Sequence, residues 1–264
     1  MSGMSARDAA FLQEMGIGPL WTLRDVPTVA ELAPVDEAAA AQPFEEQEQA
    51  AAAAPLEEAA PVEQAETAET AIARMGWDEL RDAVANCSRC GACKDGRKPV
   101  FGAGARQAAW LVAAGASTAA DEKAGSPLAG DTGALLDNML AAVDLSRERD
   151  VYVTNLIKCR PISAKGGDRA PTAEEAAACR PYLERELALT GAGAVLTLGQ
   201  IAANALLGQP LSAPLSGSRG SVHELHGVPL VATLHPGELL RRGADKALAW
   251  ADLCRAKAAD ARPG

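Results

Sequence analysis

From Trp77 onward the hydrophobic pattern switches back and forth between unbroken apolar runs and a 3.6-residue period, and that switching predicts the fold. Runs at 109–115, 151–157, 194–198 and 229–234 read as strands. Amphipathic patterns near 132–143, 172–189 and 200–207, with a last one starting at Glu238, read as helices, and residues 77–84 read as one more that delivers Cys87. Strands with so little polar interruption must be buried on both faces, which requires helices above and below. The expected class is α/β: a three-layer α/β/α sandwich around a mostly parallel four-stranded sheet, built from one domain over residues 76–264.

The front of the chain has no such pattern. Residues 1–75 hold 14 acidic and 3 basic side chains against 21 and 22 in residues 76–264, so the net charge of −10 sits almost entirely in front. Residues 31–75 are mostly Ala, Glu, Gln and Pro, with prolines at 34, 43, 55 and 61. They lack the apolar surface to offset ordering entropy and are expected to be a disordered linker. Residues 1–30 carry Phe11, Leu12, Met15, Ile17, Leu20, Trp21 and Leu23 in a short amphipathic segment. It reads either as a docking peptide for a protein partner or for the protein's own domain, or as a terminal helix with no separate role. No apolar run reaches bilayer length, so no membrane span is expected. The opening Met-Ser-Gly-Met-Ser-Ala-Arg-Asp lacks a secretory signal, which predicts a reducing, cytoplasmic location.

In that compartment cysteines mean metal or redox chemistry more often than disulfides. Cys87-x-x-Cys90, Cys159 and Cys179 supply four soft ligands, suited to tetrahedral zinc or an iron–sulfur cluster. Cys93 continues the first pair as a bacterial ferredoxin run does, but the next position of that run is Arg97, so a fourth ligand must come from afar. Either Cys93 is a ligand and one of the distant pair is not, or Cys93 is a bystander. Cys254 falls on an apolar helical face and reads as a core residue.

Open parallel sheets bind ligands at the carboxyl ends of their strands. Those ends here are Gly115-Ala116-Ser117-Thr118, Asn155, Gly199-Gln200 and His235-Pro236. A lone Asn in a strand usually serves its own backbone, and a lone His before Pro is usually a turn residue. Their joint placement instead predicts a pocket for a small planar polar group: glycines let backbone donors approach, Asn offers a donor and an acceptor side by side, and His can stabilise a developing anion.

Further runs carry a resemblance. These are Cys-Ser-Arg-Cys at 87–90, Val-Phe-Gly at 100–102, Gly125-x-Pro127-x-x-Gly130-x-x-Gly133, Val151-Tyr-Val-Thr-Asn155-Leu-Ile-Lys-Cys159-Arg-Pro, Pro171-Thr-x-Glu-Glu leading to Cys179, and Thr233-Leu-His235-Pro236-x-x-Leu-Leu240-Arg241. Spaced in this order over residues 78–257, they resemble the family 4 uracil-DNA glycosylases, the iron–sulfur type. The resemblance implies a DNA repair hydrolase that acts on uracil in DNA, and it implies a [4Fe–4S] cluster on Cys87, Cys90, Cys159 and Cys179, with zinc as the chemical alternative. Asn155 would read the uracil edge, accepting from its ring N–H and donating to the neighbouring carbonyl. His235 would stabilise the departing uracil anion, Gly115, Ala116, Ser117 and Leu128 would line the pocket, and Arg241 and Arg242 would hold DNA phosphate. Work on genomic DNA places such a protein at the nucleoid.

The chain departs from the family at its first motif. Where the family has Gly-Glu-x-Pro-Gly, the aligned residues are Ala114-Gly115-Ala116-Ser117-Thr118, and Leu128 stands at the position of a stacking aromatic. An active glycosylase, a glycosylase-fold protein that binds DNA without turnover, and a glycosylase for another deaminated base are the three readings. If the two losses limit catalysis, restoring them with Gly115→Glu and Leu128→Phe is expected to raise uracil excision. A DNA-binding surface must be a local patch, expected from Arg89, Lys94, Arg97 and Lys98 with Lys158 and Arg160 nearby and Arg241 and Arg242 at the site.

Overall fold

The computed structural model describes residues 68–93 and 98–260. The segment expected at 1–30 and the linker expected over 31–75, up to residue 67, lie outside the described residues. Residues 68–74 form helix α1 (Ala68–Arg74), whose Ile72 is buried with Leu80, Val84 and Tyr182. Ordered structure thus begins before the expected boundary at 76, because one isoleucine finds a hydrophobic seat. Helix α2 (Trp77–Ala85) follows, and among these residues no helix is long and apolar enough to cross a membrane.

Beyond it come β1 (Ala103–Gly104), β2 (Trp110–Ala116), α3 (Ala119–Ala124), α4 (Gly130–Ala141), β3 (Val151–Ile157) and α5 (Ala173–Thr190). The chain continues with β4 (Ala194–Leu198), α6 (Gln200–Leu206), β5 (Val222–Leu225), β6 (Val228–Thr233), α7 (Pro236–Arg241) and α8 (Lys246–Ala259). The strands form one sheet in the order β1-β3-β2-β4-β6-β5. The four expected strands make its parallel centre, and β1 and β5 extend it antiparallel at either edge. The sheet is therefore six-stranded rather than four-stranded. β1 is only two residues long and β5 reads Val-His-Glu-Leu, so neither carries an apolar run.

Alternation along β2 separates two cores. Trp110, Val112 and Ala114 pack with Leu136, Met139 and Leu140 of α4 and with Ala249, Leu253 and Ala256 of α8. Leu111 and Ala113 face Ala176, Leu183 and Leu187 of α5 and Leu206 of α6. This is the expected three-layer sandwich. The helix expected from Glu238 is interrupted: α7 ends at Arg242 (φ −126°, ψ 73°), and a 3₁₀ turn at Gly243–Asp245 redirects the chain into α8. Cys254 follows Leu253 by one position, so the helical rotation that buries the leucine turns the cysteine outward, and it is exposed rather than a core residue.

β2 lies between β3 and β4, so the chain leaves it toward one side and returns on the other. The crevice where ligands bind in such sheets opens at that reversal, above the ends of β2 and β4.

Candidate active site and cysteine centre

At the end of β6, His235 is the N-cap of α7, with Pro236 in the first helical position. The Gly237 N–H donates to Nδ1 of the imidazole at 3.1 Å, which leaves the ring proton on Nε2. A side chain at Gly237 would bring its Cβ within 3.1 Å of Nδ1, so glycine here permits the contact. Burial, the leading cause, lowers the pKa of His235, opposed by the charges of Glu238 and Asp121. The result is a neutral imidazole with one N–H to offer. Gly199 ends β4 at φ 82°, and a Cβ there would meet that of His235 at 3.1 Å.

Asn155, on β3, is 1% exposed. Its Nδ2 donates to Ser117 Oγ at 3.0 Å and to Asp121 Oδ2 at 3.2 Å, and its buried Oδ1 has no partner within the protein. The acceptor half of the expected edge is thus open. The donor half is engaged, because a hydroxyl and a carboxylate of the same site take the amide N–H groups.

Asp121 was not singled out by sequence as a site residue. Thr118 and Asp121 cap α3 reciprocally, through Asp121 N–H to Thr118 Oγ1 (3.3 Å) and Thr118 N–H to Asp121 Oδ2 (3.0 Å). The other oxygen, Oδ1, accepts from the Ala129 N–H at 2.8 Å. Asp121 is 2% exposed, and it links the amide of Asn155 to the neighbourhood of His235, whose proton affinity its charge raises. The Thr-x-x-Asp spacing marks a helix start in the sequence and was the available signal. Glu122, the next residue, turns instead toward Arg160 at 3.8 Å.

The remaining expected pocket residues divide. Ser117 is buried at the end of β2 and Ala116 is half-buried beside it. Gly115 is not a vacancy awaiting a carboxylate: a Cβ there would lie 3.1 Å from that of Ile201, which α6 presses against the strand. Leu128 is 5% exposed in the core at φ 50°, and Arg147 donates to the carbonyls of Pro127 (3.3 Å), Leu128 (3.4 Å) and Gly133 (3.1 Å) around it. Restoring Glu and Phe at these two positions therefore conflicts with packing already in place. Arg241 is exposed in the last turn of α7, near enough for its charge to act on His235, whereas Arg242 is paired with Asp245 at 2.8 Å.

Cys90, Cys159 and Cys179 gather beside α5, with Cys159 two residues past the end of β3. Cys159 and Cys179 are buried, Cys87 and Cys90 partly so. Burial pushes the Cys179 thiol up to about 12, partly relieved by an N–H from the Lys158 backbone, and Cys90 and Cys159 are near enough to act on it. Tyr182, one turn beyond Cys179 on α5, hydrogen-bonds Cys87; burial first, then that thiol, raises its pKa. The side chain of Cys93, with Lys94 and Arg97, lies outside what is described. Of the expected basic patch, Lys98 is exposed, but Arg89 is half-buried beside Glu69 (3.5 Å) and Arg160 pairs with Asp168. Lys158 is not surface at all: at 2% exposure its Nζ bonds Glu186 and Thr154, both at 2.6 Å.

Comparison with known proteins agrees with this geometry. Residues 101–254 match the model of the Uracil DNA glycosylase superfamily. A type-4 uracil-DNA glycosylase of Pyrobaculum aerophilum is 31% identical over 176 residues, covering 64% of this chain and 87% of that protein. One from Archaeoglobus fulgidus is 34% identical over 172 residues, covering 62% and 83%. A third, from Thermotoga maritima, is 33% identical over 129 residues, covering 46% and 60%. With a match that spans both the strand-end amide of Asn155 and the imidazole of His235, the chain belongs to the Uracil DNA glycosylase superfamily and, within it, to the type-4 group.

Proposed function

We propose that this protein is a DNA repair enzyme that removes uracil from DNA by hydrolysing its N-glycosidic bond and leaving an abasic site. The observation that carries the reading is the pairing of an unpartnered, buried acceptor, Asn155 Oδ1, with the Nε2–H of a neutral His235. Uracil flipped from the stack offers the complement, a ring N–H to the first and a carbonyl to the second. As the bond to the sugar breaks, charge moves onto that carbonyl, and a donor preorganised in a dry site stabilises it more in the transition state than before. Water then adds to the sugar carbon and its proton is lost to solvent. Arg241, exposed and near enough for its charge to act on His235, would hold a DNA phosphate. Such a protein would work in the cytoplasm at the nucleoid.

The cysteine centre fits a [4Fe–4S] cluster on Cys87, Cys90, Cys159 and Cys179, which would supply a structural link between α2, β3 and α5. Four thiolates are a donor set that suits either group, and tetrahedral zinc is the chemical alternative. Arg89 Nη1, buried without a hydrogen-bond partner between the first two cysteines, suits an anionic group there.

A second reading, another deaminated base, is favoured by the engaged Nδ2 of Asn155. An edge that only accepts also admits the ring N–H of hypoxanthine or xanthine. The test is excision from oligonucleotides carrying each base, read as abasic sites. Uracil excision supports the proposal, exclusive excision of another base replaces it with the second reading, and binding without any excision overturns both.

A further inference from the structure

The hydroxyl of Ser117 has one proton and two neighbours that want different things from it. Its Oγ lies 2.9 Å from the carbonyl of Lys158 and 3.3 Å from that of Ile157, both of which can only accept. The proton is therefore committed to the backbone of β3, and the lone pairs of Oγ face Asn155 Nδ2 at 3.0 Å. Asp121 Oδ2, on the other side of the amide, is again an acceptor. Rotating the Asn155 amide by half a turn would set its oxygen against two acceptors inside a site where every one of these residues is at most 3% exposed. Such an arrangement forfeits two hydrogen bonds in a low dielectric, where unpaired polar groups are most costly.

We propose that Ser117 is a positioning residue: reading its own orientation from the Lys158 carbonyl, it fixes the Asn155 amide with Oδ1 toward the base and so restricts the site to bases that carry a ring N–H. The inference rests on the proposed function and deepens it, because it names the residue that sets the orientation on which the exclusion of cytosine depends. Cytosine has a bare ring nitrogen where uracil has an N–H, and would place a lone pair against Oδ1. In this chain serine occupies the position at which the aligned family motif has proline, a residue with no hydroxyl to do this.

The test separates reading from chemistry. Duplexes carrying 2′-fluoro-2′-deoxyuridine or 2′-fluoro-2′-deoxycytidine resist cleavage, since fluorine disfavours positive charge on the sugar, and their Kd ratio reports base discrimination alone. His235 meets a carbonyl that both bases share, so the ratio is specific to the Asn155 edge. Wild type should prefer the uridine duplex. Ser117→Ala should reduce that preference about fivefold, the scale of one lost hydrogen bond, and Ser117→Thr, which keeps the hydroxyl, should hold it within about twofold of wild type. Melting temperatures accompany each variant, and if one does not fold the other decides. A ratio unchanged in Ser117→Ala, or lost in a folded Ser117→Thr, overturns the positioning role while uracil excision by wild type leaves the proposed function standing. Wild type that neither discriminates nor excises uracil overturns both.

Discussion

The proton on His235 is placed by a single backbone N–H, and this has a consequence for acid solutions. Because burial holds the imidazole pKa below its ordinary 6.5, the neutral form with Nδ1 accepting from Gly237 persists on lowering the pH through 6.5. Excision measured as kcat/KM should stay flat there and fall only below it. Stability follows the same sign: the unfolded chain takes up the proton first, so the stabilising contribution of His235 is full above pH 6.5 and is lost as pH falls through the depressed value. His235→Ala should cost about 10²–10³ in kcat, the range for removing one anion-stabilising donor. Gly199→Ala should harm both stability and excision, since its φ of 82° disfavours a side chain and the added Cβ would press on His235 at 3.1 Å. A Gly199→Ala protein with wild-type melting and turnover would show that this contact yields freely. The positions of His235 and Asn155 at strand ends were legible in the sequence, because unbroken apolar runs mark the strands that carry them. Asp121 was not legible as a site residue. Its inward role depends on Oδ1 reaching Ala129 and on Oδ2 reaching Asn155, a strand away.

Among the elements, β3 and α5 are bolted together by charge as well as by packing. Lys158 extends from the end of β3 to Glu186 of α5, with Thr154 Oγ1 and Tyr152 OH donating to the same carboxylate at 2.8 and 3.2 Å. Burial, and then the glutamate charge, raise the Tyr152 pKa. Removing one partner strands the other in a site 2% exposed or less, so Glu186→Gln or Lys158→Met should lower the unfolding free energy by about 3–5 kcal/mol. The paired replacement Lys158→Met with Glu186→Leu should recover most of that loss in chemical denaturation. Cys159 follows β3 by two residues and Cys179 lies on α5, so both single variants should also lose the iron of the proposed cluster faster to a chelator. The long strands and helices could be read from periodicity to within a few residues, because burial on two faces writes an unbroken apolar run. β1 and β5 could not, being short edge strands without an apolar run. Lys158 was misread as surface for a related reason: sequence shows a charge and does not show the buried charge that answers it.

At the scale of the whole molecule the metal and the acidic front are the testable parts. Freshly purified protein should be brown, Cys159→Ala should bleach and destabilise it, and Cys93→Ala should leave the visible absorbance intact; a colourless protein containing zinc would overturn the cluster. Removing residues 1–67, which ends before α1, changes the net charge from −10 to +1, so the shortened chain should bind duplex DNA more tightly, most clearly at low salt where charges are least screened. Equal affinities across a salt series would show that the front does not compete with DNA. The contact between Gly115 and Ile201, finally, bears on how such sites can change over time. A side chain at 115 would press its Cβ on that of Ile201 at 3.1 Å, so the two positions should vary together: relatives with Glu at the first should carry something smaller at the second. In this protein Gly115→Glu alone should lower the melting temperature without raising turnover, and adding Ile201→Ala should recover part of the loss, which makes the lineage's path to or from the glutamate a two-step one.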